Sequence, residues 1–93
     1  MKEINTVRLS GKIDNMYTYT DSISKKNRVN ISLLNSGKYY TLDIPEDEMK
    51  NKIKFIRKGN YVAVTGKLDK DEFGKFYITS NSIDHIECRI DTI

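Results

Sequence analysis

The sequence has 93 residues, of which 38% are hydrophobic and 31% charged, with a formal net charge of +3. That is enough for one domain over residues 1–93 with a modest core, and its composition is neither disordered nor fibrous. No apolar run approaches the roughly 20 residues that span a bilayer, and the opening residues lack a signal-peptide core. A cytoplasmic protein without membrane contact is therefore expected. Cys88 is the one cysteine, so there is no intrachain disulfide framework, and it reads as a small packing residue.

The first element is legible at residues 6–13, where Val7, Leu9 and Ile13 alternate with Thr6, Arg8, Ser10 and Lys12. That is a half-buried strand. A polar stretch over 14–27 follows and reads as a loop carrying Tyr17 and Tyr19. Alternation returns at 28–34, with Val29, Ile31 and Leu33 inward and Arg28, Asn30 and Ser32 outward. "NSGK" at 35–38 reads as a tight hairpin turn, with Gly37 available for positive φ. The third strand follows, with Tyr40, Leu42 and Ile44 inward and Tyr39, Thr41 and Asp43 outward.

The period then changes. Pro45 suits a first helical position, Glu46, Asp47 and Glu48 suit a first turn, and Met49, Ile53 and Ile56 form an apolar stripe. Lys54, Arg57 and Lys58 fill the last turn and Gly59 caps it, which predicts a helix, with Phe55 off its stripe. A fourth strand over 61–68 buries Val62, Val64 and Leu68. The charged hairpin "DKDEFGK" leads to a last, irregular strand, with Phe76 and Ile78 on one side, Tyr77 on the other, and a bend near Ile83 and Ile86.

Three strands, a helix and two strands predict an all-β, five-stranded OB-fold Greek-key barrel, with one α-helix between strands three and four. The segments "VRLSGKID" at 7–14 and "VAVTGKLD" at 62–69 share one pattern. Gly11 and Gly66 therefore read as the positions where two long strands curl to close the barrel.

Chemistry on a substrate is not expected. His85 is the single histidine, and one His with one Cys cannot supply the roughly four ligands of a zinc site. No paired acid and base and no glycine-rich phosphate loop are present, so neither catalytic residues, nor a metal, nor a cofactor is expected. The charge distribution points instead to a polyanion. Residues 1–44 carry a net +3 and residues 45–58 a net +2, whereas 59–93 carry −2.

Several ordered motifs resemble the bacterial single-stranded-DNA-binding proteins. "INTVRLSGKI" is similar to that family's "MN-x-V-x-L-x-G-x-L" opening, and "KGNYVAVTGKL" to its "KG-x-x-V-x-V-x-G-x-L" strand. "GKFYITSNSID" is similar to its "GK-x-Y-x-T-x-x-x-x-D" ending. The resemblance covers about two thirds of the chain. The chain departs from the family in its short second hairpin, in Pro45 where the family has an aromatic, and in lacking an acidic tail after Ile93. A shortened binder from a phage, plasmid or other mobile element would fit these departures.

The resemblance implies a largely sequence-independent single-stranded DNA binder acting in replication or recombination, assembled as a homodimer or homotetramer. The alternatives are an OB-fold accessory subunit of a primase, polymerase or helicase, gripping a replication protein, and an RNA-binding OB domain. Single strands are held by cations along the phosphates and by aromatic faces on which bases stack. Tyr39 faces outward and matches the family's stacking position, with Arg28 and Asn30 beside it and Lys12 and Lys67 flanking the groove. Tyr17, Tyr19, Lys25 and Lys26 form a clamp on one side, and Phe73 closes the other, as the family's aromatic there does.

Overall fold

The computed structural model describes residues 3–49, 56–79 and 87–89. Strand β1 (Val7–Thr20) is followed by β2 (Asn27–Asn35), β3 (Lys38–Pro45), a helical turn α1 (Glu46–Met49), β4 (Tyr61–Lys70), β5 (Phe76–Thr79) and β6 (Glu87–Arg89). β1 pairs antiparallel with β2, β2 with β3, and β4 with β5, while β3 and β5 run parallel. β4 returns to pair with β1, so the sheet closes on itself. This is the connectivity of an OB barrel.

Closure depends on two long strands that change neighbours partway. β1 pairs with β4 from Val7 to Lys12 and with β2 from Lys12 to Thr20. β4 pairs with β1 up to Gly66 and with β5 from Lys67 onward. The switches fall at the two glycines singled out by their sequence context. A Cβ on Gly11 would lie 2.6 Å from the Leu34 carbonyl oxygen, and one on Gly66 would collide with the Thr79 carbonyl oxygen. Only a residue without a side chain lets the crossing backbones approach so closely.

The alternating residues do what their pattern implies. Ile13, Val29, Ile31, Leu33, Leu42, Ile44, Val62, Val64 and Ile78 form one buried cluster, with Val7, Leu9 and Met16 packed against it. The hairpin joining β2 and β3 turns through Ser36 and Gly37, both at positive φ, as a two-residue turn of the twist-compatible kind requires. Asn5 prolongs the β1 edge of β4 with its side chain alone. Its amide nitrogen donates to the Leu68 carbonyl (2.8 Å), and its amide oxygen accepts from the Leu68 N–H (3.0 Å).

Several sequence expectations are corrected. The helix predicted from Pro45 to Lys58 is reduced, among the described residues, to the single turn Glu46–Met49. Pro45 ends β3, where it pairs with Arg28, and Ile56 and Arg57 are not helical. Ile56 is buried as its place on the stripe suggested. However, the Gly59 N–H donates to the Ile13 carbonyl (2.8 Å), and the Ile13 N–H to the Asn60 carbonyl (2.8 Å). The chain is thus drawn straight onto the β1 ladder instead of being capped at a helix end, and Gly59 lies in an Arg57–Asn60 turn with φ +94°. Ile53, Lys54 and Phe55 lie outside the described residues, as do Ile83, His85 and Ile86.

The five-stranded barrel expected from the sequence is kept, and among the described residues six strands take part in pairing because the fifth is split into β5 and β6. The irregular last strand is two pieces lying along the same edge of β4, with a register slip between them. Lys67 faces Thr79, yet Ala63 faces Glu87 rather than residue 83. The predicted loop over 14–27 is strand up to Thr20, so Tyr17 and Tyr19 stand on β1. Tyr40 and Leu68 were expected in the core but are 39% and 41% exposed. Both keep the inward phase but lie where it runs past the filled interior, Tyr40 beside the β2–β3 turn and Leu68 beyond the last β1 partner.

Gly11→Ala and Gly66→Ala are each expected to lower the unfolding free energy by about 1–3 kcal/mol, as overpacking does. Urea midpoints measure this, with the exposed neighbour change Ser10→Ala as an unaffected control. Unchanged midpoints in both glycine variants would contradict the strand crossings.

Candidate functional site

One face of the barrel is set by an irregularity in β1. Ile13 pairs with Leu33, but the next pairing is Asn15 with Ser32, so Asp14 is an extra residue. Inward phase moves from Ile13 to Met16, which pairs with Ile31, and Tyr17 and Tyr19 turn outward opposite Asn30 and Arg28. A bulge reverses the alternation of everything after it. Without it both tyrosines would point into the core. Across β2, the outward residues of β3 are Tyr39, Thr41 and Asp43, paired with Leu34, Ser32 and Asn30. Polar and aromatic side chains from three strands therefore share one surface.

Two short loops wall that surface at one end, and each is built on an aspartate. In the β1–β2 loop, residues 21–26, the Asp21 N–H donates to the Lys26 carbonyl (2.9 Å) and Asp21 Oδ2 accepts from the Ser24 N–H (2.9 Å). That backbone hydrogen bond holds the Asp21 carboxyl below the usual carboxylate range. In the β4–β5 loop, residues 71–75, the Asp71 N–H donates to the Lys75 carbonyl (2.9 Å). Asp71 Oδ1 accepts from the N–H groups of Phe73 (2.9 Å) and Lys75 (2.8 Å). Such side-chain-to-backbone bonds give a polar loop one shape without a core of its own.

Between these loops lies a groove of about 590 Å³. Tyr19, Arg28, Asn30, Thr41 and Asp43 form its floor, with Phe76 and Tyr77 entering from β5, and the loops contribute Asp21, Asp71, Glu72, Phe73 and Lys75. The floor is tied together by Asp43, only 8% exposed. Its carboxylate accepts from the Arg28 guanidinium, as an ion pair, and from the Tyr19 hydroxyl. Arg28 also reaches the Asp43 carbonyl (3.3 Å).

Burial first, and then the hydrogen bond to Asp43, push the Tyr19 hydroxyl from 10.0 to about 12. Burial alone would lower the Arg28 guanidinium, but its hydrogen bond and charge attraction to Asp43 outweigh that and raise it. Tyr77 is raised as well, by burial and then by Asp69 beneath it, to which its hydroxyl donates (3.4 Å).

Of the residues expected to bind, Tyr19, Arg28, Asn30 and Phe73 meet in the groove. Tyr17 lies beside it, its ring centroid 6.0 Å from that of Tyr19. Tyr39 is exposed on the same face but at the far end of β3, outside the groove. Lys12 and Lys67 are exposed beside their glycines and do not line the groove, nor do Lys25 and Lys26 on the first loop. The expected clamp of Tyr17, Tyr19, Lys25 and Lys26 is therefore split between a strand and a hydrogen-bonded loop.

Sequence reasoning missed Asp43 as the centre of the floor, and missed Phe76 and Tyr77 as groove residues. An outward carboxylate in mid-strand was the available signal for Asp43. Nothing local revealed the parallel β3–β5 pairing that brings Tyr77 over. Among the described residues, no group of three or more His, Cys, Asp or Glu is placed to hold a metal ion.

No protein-family model matches the chain, and no curated protein sequence matches it. Among solved structures, a chain in the crystal structure of the S. pombe Stn1-ten1 complex shares the fold, with a TM-score of 0.70 and 18% sequence identity. The match covers 95% of this chain and 60% of that one, so this chain spans less than two thirds of its structural neighbour. The chain is an OB-type barrel. This likeness supports the resemblance to the bacterial single-stranded-DNA-binding proteins only as far as the barrel.

The Tyr19–Asp43 bond favours the neutral phenol in the folded state, so its contribution is complete below the unfolded value of 10.0 and is lost as pH rises toward 12. Urea unfolding across that window should show Tyr19→Phe losing less stability than the parent chain. Equal losses in the two proteins would remove the linkage.

Proposed function

We propose that this chain is an OB-fold accessory subunit, docked on a different protein within an assembly that handles single-stranded nucleic acid. The observation that carries this reading is the charge of the groove. Four carboxylates, Asp21, Asp43, Asp71 and Glu72, face two cations, Arg28 and Lys75. Arg28 is already bound to Asp43. A groove that tracks a phosphate backbone needs an excess of available cations, and this one has an excess of anions. The overall charge of +3 therefore resides elsewhere on the surface. The fold likeness to a chain of a complex between two named proteins supports a protein partner of different sequence, and it lends no support to assembly from copies of this chain.

A second reading keeps autonomous single-strand binding, and one observation favours it. Tyr17 and Tyr39 are exposed on the same outward face, 54% and 63%, where bases could stack outside the acidic end.

Fluorescence anisotropy of the isolated chain with labelled oligo-dT, duplex DNA and oligo-U at two salt concentrations separates the readings. The accessory reading expects dissociation constants of about 10⁻⁶ M or weaker at physiological salt, no tighter than non-specific contact. Oligo-dT binding much tighter than about 10⁻⁶ M, steeply salt-dependent and lost in Tyr39→Ala, would reinstate the autonomous binder.

A further inference from the structure

The groove between the two loops combines two features that together define an occupant. Its walls present aromatic surface, with Phe73 87% and Phe76 59% exposed. Its rim is anionic. Among the described residues, Asp71 spends only Oδ1 on the turn of its own loop, and Glu72 makes no hydrogen bond or ion pair. Aromatic faces framed by carboxylates attract a guanidinium or ammonium group, through the ring quadrupole and through charge-assisted hydrogen bonds. Lys70, which lines a neighbouring cavity and not the groove, places its Nζ 4.8 Å from the centroid of the Phe76 ring, so one face of that ring already carries a cation and Phe73 is the aromatic left uncovered.

We infer that this groove docks a short Arg- or Lys-bearing segment of the protein partner, with its cationic side chains between Phe73, Phe76 and the carboxylates of Asp71 and Glu72. The inference rests on the accessory-subunit reading and names the chemistry of the partner at the same face. Charge complementarity is local. A chain of net charge +3 repels a basic peptide at long range, so attraction has to come from the groove itself. Volume is also suitable, since about 590 Å³ lies in the range of sites that enclose small ligands or a few side chains. Asp43 neutralises Arg28, and the one remaining cation of the lining, Lys75, is outnumbered by the carboxylates of Asp21, Asp71 and Glu72.

The test titrates the full chain against a labelled Arg-Gly repeat peptide, with a Glu-Gly repeat peptide and oligo-dT as comparators. Saturable binding of the Arg-Gly peptide alone is expected, weakened about tenfold or more by Asp71→Asn combined with Glu72→Gln, and likewise by Phe73→Ala. Asparagine retains the Oδ1 acceptor that shapes the loop, so the double variant keeps the fold while removing the charge. Circular dichroism of the variants confirms this. Absence of Arg-Gly binding at low salt, or binding unchanged in both variants, overturns the inference and leaves the accessory reading standing. Tight oligo-dT binding that strengthens in the double variant and weakens in Phe73→Ala assigns the groove to nucleic acid and overturns both.

Discussion

β1 has to serve two neighbours at once, and the remainder of the barrel follows from how it does so. At Lys12 the strand is paired with Tyr61 on one side and Leu34 on the other. Before it the partner is β4, and after it the partner is β2. The strand must bend sharply there while another backbone passes over it. Gly11 supplies the clearance, and Asp14 adds the extra residue that lets the ladder resume. The same sharing recurs on β4 at Gly66, so closure is made at two equivalent corners.

The bulge at Asp14 links folding to function. It serves closure, yet by reversing the alternation it also transfers Tyr17 and Tyr19 from the interior to the open face. There Tyr19 meets Arg28 and Asp43, and a nearly buried carboxylate gains the two donors it needs. The ion pair that stabilises the floor removes from the surface the cation that sequence alone had assigned to phosphate. Electrostatic character in the groove is then set by what remains unpaired, and that is predominantly anionic. A barrel whose sequence is basic overall therefore has an acidic, aromatic groove at the site where its fold class holds ligands.

Much of the barrel was legible because one-sided burial imposes period two on a strand. Val29, Ile31 and Leu33, then Leu42 and Ile44, then Val62 and Val64 announce their own phase, and all of them are buried. The β2–β3 turn and the two closing glycines were equally local, the turn because Gly37 takes positive φ and the glycines because only a residue without a side chain clears the neighbouring backbone. The helix was misjudged because Met49, Ile53 and Ile56 fit helical spacing, whereas the backbone groups of Gly59 and Asn60 bond to Ile13, distant in sequence, through a turn and not a helix cap.

The candidate site was legible only in part. Its residue types were visible, and Tyr19, Arg28, Asn30 and Phe73 do gather in one groove. Their electrostatic roles were not, because an arginine reads the same in sequence whether it is free or held. The sequence by itself determined which residues alternate, where the backbone needs glycine and how charge divides along the chain, all properties of neighbours within a few positions. Tertiary structure decided that Asp43 captures Arg28, that parallel pairing of β3 with β5 brings Tyr77 to the floor, and that two aspartate-built loops face each other across it. Those outcomes depend on register and strand order, which arise from packing between segments far apart in the chain.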